Sequence, residues 1–339
     1  MSSRPNFLII LADDLGYSDT SPYGAEISTP AIQKLADEGV RLTQFHTASM
    51  CSPTRSMLLS GTDNHIAGLG QMAEFLGPLK GKPGYEGYLN DRIAALPAVL
   101  KESGYETMIS GKWHLGQTKE QAPSNKGFDK VFSLLQGGGN HFHIVLDNAN
   151  NPERPIFRNT YDVGKQEPFK TLAELPEKFY SSDYYVDKLL EFLSGRDARK
   201  PFFAYLPFTA PHWPLQAPKE IVDKYASVYD SGPGVLREKR LKAQVELGLL
   251  DDGVEAFPLT GGKEWSEMSD EEKKFSAKTM EIYAAMVERM DWNIGRVVEY
   301  LREKGELDNT FIVFCSDNGA VCPGPLIVSQ ILLFVLRIN

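Results

Sequence analysis

Six consecutive apolar residues near the start of the chain, Phe7-Leu8-Ile9-Ile10-Leu11-Ala12, stop abruptly at Asp13-Asp14. A run of that length without polar alternation is the pattern of a strand covered on both faces, which a parallel sheet between two helical layers provides. The same grammar recurs downstream. Strand patterns at residues 105–110, 201–206 and 310–315 alternate with helical patterns near 30–39, 96–104, 182–193 and 283–301. In the last of these, Tyr283, Met286, Val287, Met290, Ile294, Val297, Val298 and Leu301 hold helical spacing. The alternation predicts an α/β fold with a mainly parallel sheet. In such sheets functional groups gather where strands end at their carboxyl edge. Asp13, Lys112, His212 and Asp317 all fall just past an apolar strand.

Composition narrows the field. A chain of 339 residues has length for about two average domains or one large α/β domain. With 42% hydrophobic residues, disorder is excluded as the general state. A net charge of -9 argues against a nucleic-acid partner, which calls for a basic face. Three cysteines are too few for a disulfide scaffold, and Met1-Ser2-Ser3-Arg4-Pro5-Asn6 carries no apolar leader core. These features predict a cytoplasmic protein without a membrane partner. Residues 137–178, rich in Gly, Asn and Pro, are expected as a long surface excursion.

Ser52 and Pro53 suit an N-cap and a first helical residue, with Gly61 as the stop. Cys51 is therefore expected just before a helix N-terminus, where free N–H groups favour an anion. Arg55, one turn in, can add a planar donor. Taken alone, such a cysteine is more often packed than reactive. Asp13, Asp14, Asp317 and Asn318 form an all-oxygen ligand set, which suits Ca²⁺ or Mg²⁺. Adjacent strand residues face opposite ways, so Asp13 and Asp14 can share an ion only if the chain bends there. Lys112 and His114 alternate across Trp113 and in extended chain point to one side. His212, between Pro211 and Pro214, is a candidate proton donor. Asn140, His141 and His143 follow three glycines and are read as a pocket wall, with His141 a candidate substrate contact. Trp113 and Trp213 could offer aromatic faces or pack in the core. His46 and His65 are read as structural.

Cys51-Ser52-Pro53-Thr54-Arg55 followed by Ser56-Met57-Leu58-Leu59-Ser60-Gly61 resembles the modification motif of the type I sulfatases. Gly104-Tyr105-Glu106-Thr107-Met108-Ile109-Ser110-Gly111-Lys112-Trp113-His114 resembles that family's second signature. Asp13-Asp14, Pro211-His212-Trp213-Pro214 and Ser316-Asp317-Asn318-Gly319 follow in the family's order. The resemblance runs from about residue 5 to residue 320 and is nearest to bacterial-type arylsulfatases.

The resemblance implies an alkaline-phosphatase-like, doubly wound α/β fold with helices on both faces of the sheet. It implies hydrolysis of a sulfate ester to an alcohol or phenol and sulfate. It also implies that a formylglycine-generating enzyme converts Cys51 to formylglycine, whose hydrate is the nucleophile. By the same resemblance a Ca²⁺ ion, ahead of Mg²⁺, is held by Asp13, Asp14, residue 51, Asp317 and Asn318. Arg55, Lys112, His114 and His212 then serve as catalytic groups, and Lys112 and His212 also bind substrate. Phosphoester or phosphonate monoester hydrolysis on the same fold is the alternative, as is an inactive sulfatase-like protein. Residues 1–320 are expected to form the N-terminal catalytic domain. Residues 321–339 are expected as an atypical tail, without the smaller C-terminal subdomain or the further active-site Lys of the family.

Overall fold

In a computed structural model of the protein, residues 4–143, 159–255 and 263–320 are described. Seven strands form one sheet: β1 (Asn6–Ala12), β2 (Glu106–Lys112), β3 (Lys130–Leu134), β4 (Thr160–Asp162), β5 (Lys170–Thr171), β6 (Phe202–Pro207) and β7 (Thr310–Ser316). Their order is β5-β4-β3-β2-β6-β1-β7. β7, β1, β6, β2 and β3 are parallel, while β4 and β5 add an antiparallel edge. The 137–178 excursion is thus more than surface loop, since it supplies that edge.

The helices are α1 (Pro30–Glu38), α2 (Cys51–Ser60), α3 (Leu96–Glu102), α4 (Ser181–Ser194), α5 (Lys219–Val222), α6 (Gly232–Glu246) and α7 (Asp270–Glu303). Alternation of side chains along each strand divides the core into two layers. Leu8, Ile10, Met108, Ala204 and Leu206 pack with α1, α4 and α7 on one face. Leu11, Ile109, Phe203 and Tyr205 pack with Leu59 of α2 and neighbouring loops on the other. The architecture is the expected doubly wound α/β fold. No described helix is long and apolar enough to cross a membrane.

The structure decides three local details. α2 begins at Cys51 itself, with Met50 as the residue before it, and Ser52 Oγ is buried without a hydrogen-bond partner. Cys51 is therefore the first helical residue rather than the one preceding the helix. Thr29 precedes α1 but spends its hydroxyl on Ser21. The first turn of α1 is instead capped by Asp291 of α7, whose carboxylate accepts from Ala31 N (3.0 Å) and Ile32 N (2.8 Å). Trp113 lies wholly in the core, its Nε1 donating to Gln121 O, so it offers no face to a substrate. The atypical tail expected at residues 321–339 lies outside the described residues.

Candidate active site

Strand register builds the site. In the parallel pair β1·β7, Ala12 stands opposite Ser316, so Asp13 and Asp317 leave the sheet side by side although 304 positions apart. Asp317 N donates to Ala12 O (3.1 Å), and Asp14 N donates to Asp317 Oδ1 (3.2 Å). The required bend falls on Asp14 itself, at φ 64°, a left-handed conformation uncommon for a residue with a Cβ. On the other side of β1, Asp13 N donates to Ala210 O (3.1 Å), which brings in the loop after β6 that carries His212.

Asp13 and Asp317 are fully buried, and two equally buried cations answer them. Lys112 Nζ sits 2.7 and 2.6 Å from the two oxygens of Asp13. Arg55 donates from Nε to Asp317 Oδ2 at 2.9 Å, with Nη2 2.7 Å from the same oxygen and 3.5 Å from Asp13 Oδ1. Burial would raise the Asp13 carboxyl, but Lys112, His212 and Arg55 together hold it below its ordinary value. Asp317 ends above its ordinary value, because burial and the Asp13 charge outweigh Arg55. Lys112, for all its burial, is raised by the carboxylates and stays charged.

Asp14 faces a different set. Asn318 Nδ2 donates to its Oδ1 (2.6 Å), Cys51 Sγ lies 3.7 Å from that oxygen, and His212 Nε2 lies 3.5 Å from Oδ2. Ligand atoms of Asp13, Asp14, Cys51 and His212 all fall within 4.8 Å of one another. Asn318 Oδ1 is buried with no hydrogen-bond partner, an acceptor left open beside the carboxylates. Burial, reinforced by the three carboxylates, pushes the Cys51 thiol far above its ordinary value. A thiol so opposed to ionising is a poor ligand for a soft metal, whereas the oxygens suit a hard divalent cation. The residues present therefore fit such an ion. Three carboxylates against two cations leave one negative charge, and a divalent ion would turn the site positive, ready for an anion at the N-terminus of α2.

Two histidines depart from expectation. β2 ends at Lys112, and His114 takes φ 58°, so the two side chains do not simply alternate. His114 Nε2 lies 3.2 Å from Glu74 Oε2, while Nδ1 is buried without a partner. Burial lowers its pKa in spite of that carboxylate. Glu74 escapes a reading of the chain, because nothing about an acidic residue in a single 3-10 turn (Ala73–Phe75) marks it. His141, read as a substrate contact, is 1% exposed with both ring nitrogens engaged, at Ser181 Oγ (2.7 Å) and His212 O (3.0 Å). It is a buried strut and not a pocket wall. His46 and His65 are exposed, and Trp213 stacks its ring along His212.

Comparison with known proteins returns sulfatases. The sulfatase family profile matches residues 5–325, a few residues past the limit expected from the motifs. An uncharacterized sulfatase of Schizosaccharomyces pombe is 58% identical over 94% of this chain, and the match spans 58% of that protein. An arylsulfatase of Klebsiella aerogenes is 38% identical, with 94% of this chain matching 66% of its length. Among solved structures, Ps i-CgsB in complex with a neocarrahexaose superposes with a TM-score of 0.64 at 26% identity, covering 94% of this chain and 59% of the other. The chain thus spans about three fifths of the length of these three relatives.

Proposed function

The chain belongs to the sulfatase family, and on that premise we propose that it hydrolyses a sulfate ester, of arylsulfatase type, to an alcohol or phenol and sulfate. One observation carries the reading. Cys51 opens α2 within 3.7 Å of Asp14, beside a buried Asp13–Lys112 and Asp317–Arg55 quartet. In this reading residues 1–320 are the catalytic unit, working in the cytoplasm on a small sulfate ester.

Cys51 is the residue a formylglycine-generating enzyme would oxidise, supplying one hydroxyl to attack sulfur and a second by which sulfate is later expelled. Asp13, Asp14, Asp317, Asn318 and residue 51 would hold Ca²⁺, or with less preference Mg²⁺, which supplies positive charge against a sulfate oxygen. The remaining work belongs to the chain's own side chains. Arg55 fixes the Asp317 carboxylate and adds charge beneath the N-terminus of α2. Lys112 is a fixed cation for substrate oxygens and holds Asp13 in place. His114, kept neutral by burial, can accept a proton from a hydroxyl at residue 51. His212 presents Nε2 on the far side of Asp14 and donates the proton that the leaving oxygen needs.

The test is release of 4-nitrophenol from the sulfate, phosphate and phosphonate esters side by side. Faster turnover of the sulfate, abolished in Cys51→Ala, is expected, together with a peptide mass at residue 51 matching the aldehyde. Preference for the phosphate or phosphonate would overturn the reading. So would full activity in protein whose Cys51 is entirely unmodified thiol.

A further inference from the structure

We propose that His141 is the positioning residue for His212, pinning its main chain so that the imidazole Nε2 stays turned toward Asp14. The proposal rests on the reading of His212 as the leaving-group acid. Its direction is set by hydrogen-bond chemistry. His141 Nε2 lies 3.0 Å from His212 O, and a carbonyl can only accept, so Nε2 carries the hydrogen. Nδ1 is then the acceptor, and the Ser181 hydroxyl 2.7 Å away donates to it. Thr209 Oγ1 donates in turn to Ser181 Oγ at 3.3 Å. Donation therefore runs one way, from Thr209 through Ser181 and His141 to the carbonyl of His212.

The backbone of His141 is tied into the same frame. Its N–H donates to Gln216 Oε1 (2.8 Å), and its carbonyl accepts from Ser181 N (2.8 Å) at the start of α4. Tyr180 Oη donates to Gln216 O (3.2 Å). The loop bearing His212 is thus held at His212 and again four residues on. With its own carbonyl fixed, the His212 ring is set by Nδ1, 2.5 Å from Trp213 O, which leaves Nε2 free to face Asp14 Oδ2 at 3.5 Å. Burial keeps the His141 ring neutral, its pKa pushed down to about 4, as a single-donor strut requires. A proton donor acts only within hydrogen-bond reach of the leaving oxygen, so releasing the carbonyl should be felt where protonation matters most.

The experiment compares wild type, His141→Leu, His141→Gln and His212→Ala on aryl sulfates whose leaving phenols grow steadily more basic. A positioned acid contributes about 10²–10⁴-fold. His141→Leu, which fills the volume without a donor, should lose about 10-fold more kcat/KM on the poorest leaving group than on 4-nitrophenyl sulfate. His141→Gln, whose amide can donate to the same carbonyl, should restore most of it. A loss equal across all leaving groups, with His212→Ala steep, would mean that His141 only stabilises the fold and would overturn the proposal. A second readout does not depend on turnover. In crystal structures of wild type and His141→Leu, the His212 Nε2 to Asp14 Oδ2 separation should grow in the variant, and an unmoved imidazole overturns the proposal. A flat profile for His212→Ala with a displaced ring in His141→Leu would reject the acid reading while supporting the positioning role. If His141→Leu does not fold, Ser181→Ala, which removes only the hydroxyl that sets the tautomer, is read by the same two measurements.

Discussion

At the residue scale the site is a set of charges that tolerate burial only together. Asp13 has no solvent to turn to, and Lys112 is its close partner. Removing one member of a buried pair costs about 3–5 kcal/mol, because the other charge is left uncompensated. Lys112→Met should therefore lose about that much in urea denaturation with chelator present, and recover part of it when Ca²⁺ is added. A variant as stable as wild type in chelator would show that Asp13 takes up a proton at little expense. His141 gives the pH dependence. Its folded-state pKa of about 4 lies below the ordinary 6.5. Between those values the unfolded chain carries a proton that the folded chain refuses, so stability rises with pH across the window and is lost as pH falls from about 6.5 to 4. A full shift of that size is worth on the order of 3 kcal/mol. The stability difference between pH 7 and pH 4.5 should shrink in His141→Gln, measured by denaturant titration at both values. An unchanged difference would count against a neutral buried ring.

At the element scale, close approach of strands explains a glycine that composition alone would not single out. Gly111, at φ 139°, lies so near β6 that an added Cβ would stand 1.9 Å from the Pro207 carbonyl oxygen. That oxygen belongs to backbone in the sheet interior and cannot rotate away. Gly111→Ala should separate β2 from β6 next to Lys112 and destabilise by about 3 kcal/mol or more. Soluble yield and thermal melting would reveal it, and near-wild-type melting would contradict the geometry. The bend at Asp14 is supported in a comparable way from outside its own strand. Tyr283 of α7 donates to Asp19 Oδ2 (2.6 Å), which also accepts from Gly16 N (2.9 Å). Arg240 of α6 pairs with Asp19 and with Glu26. Helices far along the chain thus brace the turn that follows the first strand.

At the scale of the whole molecule, the sheet's carboxyl edge concentrates three carboxylates on one point, and among the described residues two buried cations, Arg55 and Lys112, pair with them. A ligand that binds the folded state alone stabilises it by RT ln(1 + [L]/Kd), about 2.7 kcal/mol at a hundredfold excess over Kd. Ca²⁺ should raise the melting temperature and a chelator should reverse the change, followed by calorimetry with elemental analysis of the purified protein. Stoichiometric zinc with no calcium or magnesium would refute an all-oxygen site for a hard ion. Replacing Asn318 by Leu should weaken the calcium response, since Asn318 Oδ1 is the open acceptor there.

The apolar runs and helical spacings were enough to predict the doubly wound sheet, because side-chain period is a local property that survives without tertiary context. The placement of Asp13, Lys112, His212 and Asp317 after strands was legible for the same reason, since a parallel sheet aligns strand ends whatever their separation in sequence. Partners set by three-dimensional approach were not legible. Glu74 against His114, Asp291 at the start of α1, and both ring nitrogens of His141 depend on contacts between segments 40 to 260 residues apart. The start of α2 at Cys51 rather than after it was likewise beyond local propensity, for Ser52 and Pro53 favour a later start, whereas Thr54 N donates to Met50 O (3.2 Å) and closes the first turn around Cys51. Residue types and strand ends therefore determined which groups reach the site. The direction each group faces was decided by the packed structure, because a buried polar atom must take whichever partner the fold brings within about 3 Å.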